Sequence, residues 1–302
     1  MATTVGSAPQ LEKPTLKRTI RTYLQLTKLP IVLLLIFTTL VAMIVATEGP
    51  LDGGVVLATL IGGALSAAGA SVLNQYYDRD MDAKMTRTAR RPIPSGRVEP
   101  TNALLFGLAL LVWSTLILGI FVNWLAAGLA LGGAIYYVVI YTMLLKRNTV
   151  VNILIGGGAG AMPVLVGWAA ATGSLSYQAF ILFAIIFYWT PPHSWALALL
   201  VNTDYARANV PMMPVAKGEA VTRQQILLYS IMLLLISLLP VLFGFLHAIY
   251  FLAALTLGLG LIRASLVLMR EQTGAAARKT YKFSTAYLAF LFMAMILDRL
   301  FL

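Results

Sequence analysis

The stretch Gly53–Lys84 reads GGVVLATLIGGALSAAGASVLNQYYDRDMDAK. Up to Tyr77 it carries no charged side chain. A helix rising ~1.5 Å per residue needs about 20 apolar residues to cross a ~30 Å hydrocarbon layer, and this run supplies them. It then turns abruptly acidic at Asp78, Asp80 and Asp82. The pattern describes a membrane-spanning helix that delivers carboxylates to an interface.

Working outward, eight further runs have the same character. The expected spans are Lys28–Thr47, Gly53–Tyr77, Ala103–Phe121, Trp124–Leu145, Val150–Thr172, Tyr177–Val201, Gln224–Leu246, Ala248–Met269 and Phe283–Leu302. The short connections after Phe121 and Leu246 make their flanking spans antiparallel neighbours. The chain has 302 residues, 60% of them hydrophobic and 11% charged, with a mean hydropathy of +0.85. No packed core could hide that much apolar surface, so a water-soluble globule is excluded. The reading is an all-α polytopic membrane protein with nine transmembrane helices in one domain, residues 28–302, behind an N-terminal segment of residues 1–27.

Basic residues set the orientation, because positive loops resist translocation. With a cytoplasmic N-terminus, Lys13, Lys17, Arg18, Arg21 and Lys28 lie inside. So do Arg79, Lys84, Arg87, Arg90, Arg91, Arg97, Lys146, Arg147, Arg207, Lys217, Arg223, Arg263, Arg270, Arg278, Lys279 and Lys282; of 22 basic residues only Arg299 falls outside. The net charge of +11 is thereby explained by topology and anionic lipid rather than by nucleic acid. The absence of cysteine excludes disulfides, thiolate nucleophiles and Cys-ligated metals. Residues 1–27 show no apolar signal core, and the expected address is a prokaryotic plasma (inner) membrane.

Two of the loops on the basic side are long, Asp78–Asn102 and Asn202–Arg223, and they follow the second and sixth spans. That placement suggests an internal repeat of a four-helix unit, with Asp78 and Asp204 at equivalent positions. In the first loop Asn74, Asp78 and Asp82 recur at helical spacing, so their oxygens share one face, while Asp80 points away toward Lys84. Carboxylates with an amide form a hard-oxygen site of the kind magnesium occupies when a substrate phosphate completes its shell. Arg87, Arg91 and Arg97 follow, with Pro92, Pro94 and Gly96; guanidiniums that fork onto phosphate oxygens beside carboxylates fit a metal-bridged diphosphate.

The second constellation runs through Trp189, Pro191, Pro192 and His193 to Asp204 and Arg207. The adjacent prolines predict a kinked or opened helix near His193. Lys146, Arg147 and Asn152 bracket the fifth span and could reach the same anion. The glycines Gly156, Gly157, Gly158 and Gly160 lie within a span, where small residues permit close helix packing rather than a phosphate loop. Tyr136, Tyr137 and Tyr141 are candidates to face a carbocation. Polar groups inside a membrane also mark transporters and channels, but here the charges cluster at one face.

The pattern Asn74-x-x-x-Asp78-x-x-x-Asp82, with Arg87-Thr and Arg91-Pro-x-Pro-x-Gly, resembles the first aspartate-rich motif of the UbiA-type intramembrane prenyltransferases. Thr190-Pro-Pro-His193-x-Trp-Ala-Leu-Ala-Leu, Asp204-Tyr-Ala-Arg-Ala and Leu145-Lys-Arg-x-Thr look like the branch that farnesylates protohaem IX. The resemblance covers nearly the whole chain from Leu26. It implies nine helices around a central cavity, magnesium-dependent ionisation of farnesyl diphosphate, and alkylation of a haem B vinyl group with addition of water. A related ring acceptor, a quinone precursor or a chlorin, is the alternative. By resemblance Asn74, Asp78, Asp82 and Asp204 are the catalytic and metal-holding residues. Lys28, Arg87, Arg91, Lys146, Arg147 and Arg207 would contact diphosphate, His193 would serve the haem side, and a downstream haem-modifying enzyme is a candidate partner. Two departures stand out: Thr203 precedes Asp204 where the family commonly pairs two acids, and Ser194 stands where an aromatic residue is expected.

Overall fold

The structure is a computed structural model that describes residues 15–47 and 49–302. The expectations for residues 1–14, Lys13 included, lie outside the described residues. A polar amphipathic helix, α1 (Leu16–Thr27), precedes α2 (Leu29–Ala46) and α3 (Gly53–Tyr77). Short α4 (Arg79–Asp82) leads through a loop to α5 (Pro100–Phe121) and α6 (Trp124–Ile135), which continues as a π-helix over Tyr136–Leu145. Then follow α7 (Asn152–Thr172), α8 (Tyr177–Leu200), short α9 (Asn202–Arg207) and α10 (Met213–Ala216), α11 (Glu219–Leu242), α12 (Ala248–Glu271) and α13 (Gly274–Phe301). Among the described residues nine helices are long and apolar enough to span a membrane, at the nine expected places.

Helices α11 and α13 begin earlier than hydropathy suggests, at Glu219 and Gly274. Charged Arg278, Lys279 and Lys282 interrupt the apolar pattern, but the backbone ladder is indifferent to them. The Thr273 side chain, accepting from the Ala276 N–H at 3.2 Å, caps the added turns. The prolines do not open α8, which is unbroken from Tyr177 to Leu200. Two N–H groups are lost, but α8 is tied to α13 on either side of the prolines: the Trp189 indole donates to the Ser284 carbonyl at 2.6 Å, and His193 meets the Ser284 hydroxyl. Tertiary contacts thus hold what local chemistry weakens.

The spanning helices form a ring in chain order, α2 against α3, α3 against α5, and so on to α13, which closes on α2. Helix α2 also crosses to α7, and α8 to α13. Glycine permits close approach at these contacts: a Cβ on Gly69 of α3 would lie 2.8 Å from the Gly107 carbonyl of α5. In the first half a cavity of about 160 Å³ remains between α2, α3, α6 and α7. In the second half Leu233, Leu261, Tyr250, Tyr287, Leu291 and Phe292 are completely buried in one core. In the run at Gly156 the first three glycines pack as expected, Gly156 beneath the Tyr141 ring, Gly157 against Thr190 and Gly158 against the Tyr136 hydroxyl, whereas Gly160 does not: a Cβ there would meet nothing within 4 Å.

Candidate active site at the basic ends of α3, α6 and α8

The hydrogen-bond ladder of α3 runs into α4, with the Asp78 N–H donating to Asn74 O at 2.9 Å and the Asp82 N–H to Asp78 O at 2.7 Å. This continuity puts Asn74, Asp78 and Asp82 on one face, and all three are buried, at 2%, 0% and 1% exposure. Buried carboxylates need partners; cations from two other segments supply them, and a lysine from a third meets the Asn74 amide. Lys28 Nζ donates to Asn74 Oδ1 at 2.8 Å, Lys146 Nζ to Asp78 Oδ2 at 2.5 Å, and Arg91 to Asp82 Oδ2 at 2.6 Å. Arg147 lies 3.6 Å from Asp78 Oδ1, which is buried and accepts no hydrogen bond.

Two backbone devices place three of these cations. Lys28 occupies the joint between α1 and α2 in the left-handed region, φ 53°, a conformation costly for a side-chain-bearing residue. Lys146 and Arg147 follow the π-helix, whose wider winding is stapled by the Thr142 hydroxyl donating to Tyr137 O at 2.8 Å. The Asn74 amide donates to that same hydroxyl at 3.0 Å and to Asp78 Oδ2 at 2.9 Å. Thr142 thus couples the acidic cluster to the tyrosines of α6. Nothing in the sequence distinguished it from an ordinary threonine in an apolar span.

Asp80 pairs with Arg147, through contacts of 2.9 and 2.8 Å, and not with Lys84; the helix turn aims it at the α6–α7 connection instead of along its own surface. Hydrogen bonding from Arg147 lowers its carboxyl to about 2. Residues 83–98 fold as a packed cap in which Met85 and Ile93 are buried.

Asp204 meets that cap. Its oxygens accept the backbone N–H groups of Thr86 at 3.3 Å and Arg87 at 3.2 Å, and Arg207 bridges Asp204 and the Thr86 hydroxyl. Desolvation opposes ionisation, yet the backbone donors of Arg87 and Thr86, together with the Thr86 hydroxyl and the Arg207 charge, outweigh it and the Asp204 pKa is lowered. Neighbouring Tyr205, beside Arg87, has its phenol raised by burial. The two long loops are therefore joined, with Asp78 and Asp82 on one side of the junction and Asp204 within it. The two aspartates sit differently in their elements: Asp78 caps α3, whereas Asp204 lies inside α9.

Tyr137 and Tyr141 stack at 5.6 Å, and Tyr137 lines the apolar cavity; Tyr136 turns away to donate to Ile155 O at 2.7 Å. Asn152 is buried in the first turn of α7, its amide donating to Thr149 O at 2.6 Å and its oxygen unpartnered. His193 is set apart from the acidic cluster. Its ring lies between Trp189, at 4.3 Å, and Tyr281, at 4.8 Å. The Ser284 hydroxyl, 2.8 Å from Tyr281 O, also meets His193 Nδ1 at 2.9 Å, so Nδ1 is engaged and Nε2 is the ring nitrogen open to another partner.

A helical membrane bundle that holds buried carboxylates among lysines and arginines beside an apolar cavity defines the class: a polytopic membrane protein with a buried polar cluster at one end of its helices. The chain matches the model of the UbiA prenyltransferase family over residues 35–295, and it belongs to that family. It is 49% identical to the protoheme IX farnesyltransferase of Symbiobacterium thermophilum, covering 92% of this chain and 94% of the relative. It is 52% identical to that of Synechococcus elongatus, with 91% and 87% covered, and 50% identical to that of Chloroflexus aurantiacus over 95% of this chain. The chain spans only about half the length of some curated relatives it matches, 49% of the Chloroflexus protein. The fold is that of a solved digeranylgeranylglyceryl phosphate synthase, TM-score 0.78 at 19% identity over 94% of this chain and 99% of that one. It is also that of a UbiA homolog from Archaeoglobus fulgidus bound to DMAPP and Mg2+, TM-score 0.65 at 15% identity over 91% and 99%.

Proposed function

We propose that this protein transfers a farnesyl group from farnesyl diphosphate to a vinyl group of protohaem IX (haem B), with magnesium, at a site facing the cytoplasm. The observation that carries this reading is the junction at Tyr137, which lines the apolar cavity while the carboxylate cluster lies at the same end of the bundle. A molecule with an anionic head and an apolar tail fits that arrangement. The relatives named protoheme IX farnesyltransferase, near half-identical over most of the chain, support haem as acceptor.

Asp78 and Asp82, with Asn74, would hold the magnesium. The donor set suits a hard cation, and the unpartnered buried Oδ1 of Asp78 has a lone pair to offer. Bound there, the ion would supply positive charge to the departing diphosphate. Lys28, Arg91, Lys146 and Arg147 lie within reach of the same group and would shift from the carboxylates to its oxygens. Asp204 and Arg207 hold the cap that presents Arg87 and Arg91.

The C1–O bond of the donor breaks, its electron pair leaving with diphosphate. The terminal vinyl carbon bonds to C1, and water supplies the hydroxyl to the other vinyl carbon with loss of a proton. The Tyr137 and Tyr141 rings would shield the allylic cation, and the surrounding apolar helices exclude bulk water from it. His193, with Nε2 free, would serve as a ligand to haem iron.

The test incubates purified protein with labelled farnesyl diphosphate, magnesium and, separately, haem B, a quinone precursor and a chlorin. Label should enter haem and give a hydroxyethylfarnesyl product; label entering another ring, or none, overturns the reading. An unchanged haem spectrum in His193→Ala would remove the ligand role.

A further inference from the structure

The apolar cavity has a closed end, and its depth follows from the helices around it. Lys28 and Asn74 touch at the mouth and so mark one level on α2 and α3. Thr39 lies eleven positions further along α2, and Gly63 eleven positions back along α3; both line the cavity. At ~1.5 Å per residue each is ~16 Å below the mouth. There α7 closes on α2, because a Cβ on Gly167 would lie 2.2 Å from the Thr39 carbonyl oxygen, and neighbouring Val166 lines the floor. Two cavity glycines, Gly63 and Gly160, have the opposite surroundings: a Cβ on either would meet nothing within 4 Å.

A farnesyl main chain, twelve carbons at roughly 1.2 Å per extended bond, is about 13 Å long. One isoprene unit more gives about 18 Å, beyond the floor, and one unit fewer, about 8 Å, leaves roughly the deeper half empty. We infer that the floor formed by Thr39, Gly63 and Val166 measures the donor to three isoprene units, and that the missing side chains at Gly63 and Gly160 are the space its tail occupies. This rests on the reading of the cavity as the prenyl site.

The experiment compares geranyl, farnesyl and geranylgeranyl diphosphates as donors to haem B, recording kcat/KM for each. Leucine at position 63 improves helix propensity and fills only empty space. Gly63→Leu should therefore lower farnesyl transfer roughly 100-fold while geranyl transfer stays near wild type. Val166→Ala should raise geranylgeranyl transfer by about 10-fold. Gly128→Leu is the control: Gly128 is exposed, outside the cavity, and equally free of neighbours, so it should keep the wild-type preference. A Gly63→Leu enzyme with the wild-type donor ratio, or one losing all donors alike while Gly128→Leu stays active, overturns the ruler. Failure of the underlying reading shows elsewhere, as a wild-type protein that transfers no prenyl chain of any length to haem.

Discussion

The ends of α3 and α8 carry the same residue type to the same face, and the structure treats the two aspartates in opposite ways. Asp78 is sealed from solvent against the side-chain cations Lys146 and Arg147, with one oxygen accepting nothing. Asp204 spends both oxygens on the backbone of Thr86 and Arg87. A carboxylate paired with side-chain ammonium groups can exchange partners when an anion arrives, because lysine tips move freely. A carboxylate satisfied by main-chain donors cannot exchange without unfolding the loop it caps. We propose that Asp78 serves the chemistry and Asp204 the joining of the two loops.

The comparison breaks most sharply at Asp78. Asp78→Asn removes the charge but keeps the shape, and prenyl transfer should fall about 1000-fold or more, with the helical content and detergent-extracted monodispersity unchanged. Turnover near wild type would dissolve the distinction. Asp204→Ala leaves two backbone donors without partners, at a cost of about 1–3 kcal/mol each where water cannot reach them. Protease cleavage within residues 83–98 should accelerate and the KM for the prenyl diphosphate should rise about 10-fold, with saturating magnesium giving no rescue. Rescue by magnesium would instead place a second metal at Asp204.

Thr142→Val sharpens the Asp78 side. It deletes the hydroxyl that links Asn74 to the π-helix and should cost about 1 kcal/mol, or 5-fold in kcat, with donor KM unchanged. The smallest effect belongs to Asp80→Asn. Its partner Arg147 is close, but Asp80 is 61% exposed, and solvent-screened pairs contribute little. Activity should stay within about 2-fold, and a larger loss would mean that Arg147 needs Asp80 to reach the diphosphate.

The nine spans and the acidic face of Asn74, Asp78 and Asp82 were readable because both rest on local rules, the length of an apolar run and the 3.6-residue turn. The start of α13 at Gly274 was not, since hydropathy stops at Lys282 while backbone hydrogen bonding does not. Nor was the continuity of α8 through Pro191 and Pro192, which depends on Ser284, about ninety residues away along the chain. The partner of Asp80 is hidden from local pattern for the same reason: Arg147 is remote in sequence and adjacent in space.

By itself the sequence determined that the chain crosses a membrane nine times and which helix ends carry acid, base and histidine. These are properties of single segments in a layered solvent. The tertiary structure alone decided which cation meets which carboxylate, that Asp204 ties one loop to another, and that Gly63 and Gly160 face a void while Gly156 and Gly167 face close contacts. Each of those depends on how helices far apart in the chain are set against one another, and no local pattern encodes the distance between them.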